Sequence, residues 1–218
     1  MIPIQESRDI TMLHPKRYSF SIIEIIPYFF VVLFFILMLL LGPHRICQIG
    51  ESDDYILLSV ALQNHWSDSI DDTDIEQAKR DFSGMNWEFY PNGSVHLPIS
   101  IEKSGGTTYY SWYFISYSLF CIPFKYITQL IGIHPIYAFY AANLCILLLS
   151  VYFAEKWLRT DITCPRLLPY LLLWTPSLVY IFWPSAEVFL MACATLAAAA
   201  LFSGRYLTAA FWSGVPLP

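Results

Sequence analysis

The chain has 218 residues, of which 56% are hydrophobic, 17% aromatic and only 13% charged. Soluble domains carry about a quarter charged residues, so this deficit points to a bilayer as the solvent. The formal net charge of -5 comes with no basic patch, which argues against nucleic acid as a partner.

Residues 1–21 read as an N-terminal tail carrying Arg8, Lys16 and Arg17. The run YFFVVLFFILMLLL (28–41) follows, and with 22–27 in front it reaches the roughly 20 residues that cross hydrocarbon. It is too long for a signal-peptide apolar region, and no small-x-small cleavage site precedes Pro43. A retained first transmembrane helix is expected at 22–42.

Residues 43–108 hold eleven acids against four bases. With Lys16 and Arg17 across the first span, the positive-inside rule makes the N-terminus cytoplasmic and the acidic segment extracytoplasmic. Within it YILLSVAL (55–62) is apolar but too short to span, so it packs on the protein or on headgroups. Thr73-Asp74-Ile75-Glu76 reads as a capping box opening a short helix to about Gly84. Pro91-Asn92-Gly93 is turn chemistry, and Asn92-Gly93-Ser94 is a glycosylation sequon.

Four more apolar segments follow, at 109–132, 136–154, 165–183 and 185–203. Were all four to cross, Lys156, Arg159 and Arg166 would lie outside, against the rule. The first is crowded with Tyr, Trp and Ser, broken by Pro123 and charged at Lys125, which suits an interfacial or re-entrant aromatic helix. With it kept on the outer side, the three basic residues become cytoplasmic and Glu187 emerges on the face that carries the acidic loop. The expected fold class is an all-α polytopic membrane protein of the plasma or inner membrane. It has about four to five hydrophobic helices and a partly helical outer loop. Residues 133–218 hold the last three spans and end in FWSGVPLP, where a further helix is due, so a truncated chain is expected.

The five cysteines show no CxxC or metal spacing. Chemistry is carried instead by Glu51, Asp53 and Asp54. Two accounts of them stand side by side. Acids at a helix start are favoured by the unpaired N–H groups and the dipole, with Ser52 or Asp53 as N-cap. Alternatively one carboxylate is a general base or metal ligand, its pKa raised by burial or by like charge. Glu187, in FWPSAEVFL between two apolar runs, is the natural second carboxylate, with Pro184 and Ser185 starting its helix. His65 and His96 are either phosphate or metal contacts or ordinary loop histidines. Gly105-Gly106-Thr107-Thr108 is either a source of N–H groups for a phosphate or a flexible entry to a helix.

The order Gly50-Glu51-Ser52-Asp53-Asp54-Tyr55, then Asn92-Gly93, then YYSWYFISYSLFCIPF (109–124), then Glu187 resembles the N-terminal part of the GT-C superfamily of membrane glycosyltransferases. The nearest are the dolichyl-phosphate-mannose-type and RgtA-like enzymes, which use polyprenyl-phosphate-linked sugars. The matching positions are Gly50, Glu51 and Tyr55 in the acidic motif, and Tyr110, Ser111, Leu119, Pro123 and Phe124 later. This sequence departs at Ser52, Tyr113 and Ser116, where the family has an acid, a His and a Gly. The resemblance implies Glu51, Asp54 and Glu187 as catalytic, and Asp53, Tyr55, His96, Tyr110 and Ser111 as substrate-binding. It implies a lipid-linked sugar donor, the bilayer as partner and room for a divalent cation, with no resident metal site assigned. The alternative is a non-catalytic polytopic membrane protein whose acidic outer loop binds a partner or cation.

Overall fold

The computed structural model describes residues 22–41, 52–83, 101–104, 108–111, 115–158, 170 and 177–214. Helix α1 spans Ile22–Leu41, the expected first apolar run. Its narrow inner stripe of Tyr28, Val31, Phe35 and Leu39 packs on the rest of the protein. Ile25, Phe29, Phe30, Leu37 and Leu40 stay exposed on the other sides. A helix that is apolar all round and still exposed is suited to lipid rather than water.

Helix α2 spans Ser52–His65 and places Asp53 and Asp54 in its first turn. YILLSVAL is buried on every side, so it is protein-packed rather than headgroup-bound. Strand β1 (Ser69–Ile70) and helix α3 (Asp72–Asp81) follow. The capping box lies two residues earlier than expected: Asp71 is the N-cap and Asp74 the N3 partner. Thr73 donates its hydroxyl to Asp71 Oδ1 at 2.6 Å and is a supporter of the cap rather than the cap itself. An aspartate accepts from the first-turn N–H as well as a threonine does, and with its charge it also meets the helix dipole. α3 ends at Asp81, short of Gly84.

Strands β2 (Ile101–Ser104) and β3 (Thr108–Ser111) pair antiparallel, and β3 also pairs β1, giving the order β1-β3-β2. The described residues are mostly helical, as expected; this small sheet is an addition to that expectation and moves the start of the aromatic helix. Thr108-Tyr109-Tyr110-Ser111, read as the opening of a helix at 109, is a strand. β-branched and aromatic side chains favour the pleated surface once a partner strand is there.

Helix α4 covers Ile115–Ile131 and α5 Ile136–Leu158, joined by a short turn with Gly132 at φ 75°. Three side-chain hydrogen bonds fasten α4 to α2. Ser118 donates to the Tyr55 carbonyl (3.0 Å), Lys125 Nζ to Ser59 Oγ (3.1 Å) and Gln63 Nε2 to Gln129 Oε1 (2.9 Å). On α2 these positions are spaced by four, so they line one face. α4 is amphipathic in the inverted sense: Tyr117, Ser118, Lys125 and Thr128 face inward, while Leu119, Ile127, Leu130 and Ile131 face out, with Leu130 88% exposed.

Helix α6 (Ser177–Tyr180), helix α7 (Glu187–Phe202) and helix α8 (Tyr206–Ser213) complete the described chain. Ala186, not Ser185, is the N-cap of α7, and no side chain caps it. Among the described residues only α5, at 23 residues, is long and apolar enough to cross a membrane. α1 and α7 are shorter apolar helices over 25–40 and 187–202. Most of the expected 165–183 span lies outside the described residues.

Contacts fix the relative directions. Tyr28, near the start of α1, donates to Glu155 near the end of α5 at 3.1 Å, so the two helices run antiparallel. Ala199 at the far end of α7 packs with Ala154 and Leu158 of α5, while Ala186 before α7 joins the cluster holding Ile136 and Phe139. α5 and α7 therefore run parallel, and their N-termini share one end with α2, α3 and α4.

Candidate functional site

The N-terminal turn of α2 presents its acids differently. Asp53 is half-buried, whereas Asp54 is 1% exposed. Asp54 is thus held inside the protein beside the start of α2, where unpaired backbone N–H groups and the dipole favour a carboxylate. Tyr55 is enclosed too, its ring edge-on to Tyr117 with centroids 5.0 Å apart. Tyr117 in turn meets Phe189 of α7 at 5.9 Å and Phe139 of α5 at 6.2 Å.

Glu187 opens α7 and is exposed. It is near enough to Tyr117 to help raise the phenol pKa, behind the larger effects of burial and of the Cys121 thiol. Tyr117 therefore packs against Tyr55 near the start of α2 and against Phe189 near the start of α7. The segment before Glu187 is pinned by Asn143 of α5, whose Nδ2 donates to the carbonyls of Trp183 (2.7 Å) and Ile181 (3.4 Å).

Among the remaining expected site residues, Tyr110 and Ser111 lie on β3. There Tyr110 is paired with Ser69 and Glu102, and Ser111 with Ile101. Glu51 and His96 lie outside the described residues, as do Gly105, Gly106 and the sequon at 92–94.

His65 has a defined role. Its Nε2 meets Asp74 Oδ2 at 2.9 Å, and the fully buried Asp74 also accepts from Asn64 Nδ2 (2.8 Å) and from the Asp71 N–H (3.0 Å). Ligand-type atoms of His65, Asp71 and Asp74 lie within 4.8 Å of one another. Each is already engaged in the hydrogen bonds that hold the end of α2 to the start of α3, which accounts for the cluster without an ion. Sequence spacing hid it, because the turn after Trp66 (φ 55°) brings the residues together.

Sequence reading also passed over Glu155, Asn143 and Tyr117. Glu155 is a 1% exposed carboxylate accepting from Tyr28, and only its place inside an apolar run, EKWL after a span, hinted at it. Asn143 is a lone amide within the α5 apolar run, the signal that could have flagged it.

Comparison with known proteins finds no matching family model, no matching curated protein and no matching solved structure.

Proposed function

We propose that the chain is a multi-pass membrane protein with a cytoplasmic N-terminus and acts as a GT-C-like glycosyltransferase, or as the N-terminal part of one, on the outer face. The observation that carries this reading is that the starts of α2 and α7, which bear Asp53, Asp54 and Glu187, both pack on Tyr117 through Tyr55 and Phe189, at one end of the apolar helices. The exposed apolar faces of α1 and α4 support the membrane part, since such surfaces are too large to leave in water.

In the reaction, a carboxylate of the α2 turn takes the proton of an acceptor hydroxyl. The freed oxygen attacks the anomeric carbon, and the bond from that carbon to the lipid phosphate breaks, its electron pair leaving with the phosphate. A phosphate is a good leaving group, so the protein's contribution is base catalysis and orientation. Glu51 and Asp54 are the candidate bases and Glu187 the helper. Among the described residues Asp53, Asp54 and Glu187 do not form a group of converging ligand atoms, so no divalent cation is assigned to them.

The test is transfer from a radiolabelled polyprenyl-phosphate hexose by the full chain in nanodiscs. Glu51→Gln, Asp54→Asn and Glu187→Gln should each lower turnover by about 100-fold or more, the usual worth of a general base. Asp72→Asn, on the exposed side of α3, should leave it unchanged. Full turnover in all three acid variants removes these residues from the mechanism.

A non-catalytic subunit is the second reading, and the near-complete burial of Asp54 favours it. Under it Asp54→Asn alters thermal stability and no sugar is transferred by the parent chain.

A further inference from the structure

Helices α5 and α7 end at one level, because Ala154 and Leu158 of α5 pack with Ala199 of α7 and Trp157 leans on that cluster. α7 is closed there by Gly204 at φ 69°. The Gly204 N–H donates to the Leu201 carbonyl (3.1 Å) and the Arg205 N–H to that of Ala200 (2.8 Å). A left-handed residue at this place stops a helix within one turn, and glycine adopts it without strain. The stop brings Arg205 back to α5, where its guanidinium lies over the Trp157 ring, 5.6 Å from the centroid. Lys156, the neighbour of Trp157, lies 6.0 Å from the centroid of Tyr152. Both cations are exposed, and among the described residues neither is in an ion pair. The adjacent acid, Glu155, is buried and accepts from Tyr28.

We propose that Arg205 and Lys156 bind the phosphate of an anionic phospholipid of the cytoplasmic leaflet. The site rests on the membrane topology proposed above, not on the transfer chemistry.

A guanidinium held over an aromatic ring is fixed in place while its N–H groups stay unspent, and that fork matches two phosphate oxygens. Lys156 adds a second full charge beside it. The surroundings select a lipid over a soluble anion. Leu201, Phe202, Tyr206, Leu207 and Phe211 flank Arg205 in the chain, and each is more than half exposed. A free phosphate gains nothing from that apolar surface, whereas a phosphate that carries acyl chains is complementary to both parts. Trp157 and Tyr206 are residue types that settle at headgroup level, where such a phosphate sits. The acidic turns of α2 and α3 lie at the opposite end of α5, so an anionic headgroup meets attraction here and little repulsion.

Electron paramagnetic resonance of the full chain in phosphatidylcholine bilayers, with spin-labelled phosphatidylglycerol or phosphatidylcholine as probe, tests this. The motionally restricted component of the spectrum reports lipid held at the protein surface. Wild type should restrict phosphatidylglycerol in preference to phosphatidylcholine. Arg205→Gln and Lys156→Gln should each lower that preference by up to about five-fold, and the double variant should abolish it. Both side chains are exposed, so the variants keep the fold. Lys79→Gln/Arg80→Gln on α3 makes the same change in net charge at the other end and should leave the preference intact. An equal loss in that control overturns the site, because overall charge would then explain it. Displacement of the labelled lipid by inorganic phosphate at constant ionic strength overturns it too, in favour of a free anion. A restricted component with no headgroup preference sinks this proposal alone, whereas no restricted component for either probe sinks the membrane reading beneath it.

Discussion

Lys125 shows how a single residue is set by what surrounds it. The residue is 1% exposed, and its ammonium donates to Ser59 and lies 5.9 Å from the Phe82 ring centroid. Burial pushes its pKa down from 10.5 to about 8, against the smaller opposing pull of Asp81, Cys121 and Asp74. The protonated form is thus disfavoured in the folded chain. Between about pH 8 and 10.5 the unfolded chain binds more protons than the folded one, so stability rises with pH across that window. Below about 8 the full penalty is present. Lys125→Met should flatten that rise and raise stability at neutral pH by up to about 3 kcal/mol, since a buried ion is often replaced by an apolar side chain without loss. The measurement is Tm against pH for both proteins, and the same slope in each would remove Lys125 as its source. The sequence shows a lysine in an aromatic run; that its charge points inward follows only from the packing of α2 and α3 over it.

At the scale of elements, α4 is the informative helix. Its inward face carries Lys125, Ser118 and Thr128, and its outward face carries Leu119, Ile127, Leu130 and Ile131. A helix on a water-facing surface has the opposite arrangement. A nitroxide at Leu130→Cys should therefore be relaxed by dissolved oxygen and shielded from a water-soluble nickel chelate, with the converse at Asp72→Cys. Preferential collision of Leu130 with the chelate would place α4 in water. Its mixed composition, with Pro123 and several tyrosines, already separated it from the spanning runs in the sequence. Its true start did not show, because Thr108–Ser111 becomes a strand only when β1 and β2 are there to pair with it. The cap of α3 was displaced for a similar reason. Thr73 and Asp71 are both competent caps in sequence, and the reciprocal bond from the Asp71 N–H to Asp74 decides between them.

For the whole molecule, the arrangement turns on helix direction. α1 is antiparallel to α5 through Tyr28 and Glu155, α7 is parallel to α5, and the acidic layer of α2 and α3 caps the end from which α5 and α7 start. With the N-terminus cytoplasmic, as proposed, Asp72 would lie outside and Lys156 inside. Cysteines at these exposed positions should be modified by an impermeant maleimide from the outside only at 72, and at 156 only after the membrane is opened. Labelling of both from one side would refute the topology. Ile70, although in the same loop, is fully buried and would report nothing.

The chain by itself determined its outline: the apolar run of α1, the long α5 and the concentration of acids at 43–108 are properties of composition, and the hydrophobic effect reads composition directly. Tertiary structure alone decided which polar groups meet. Asp74 with His65, Glu155 with Tyr28, and Tyr117 beside Asn143 lie far apart or at uninformative spacings along the chain, and their juxtaposition depends on helix direction and on the turns between helices. Burial of a polar atom is a property of its neighbours, and no residue carries its neighbours in its own name.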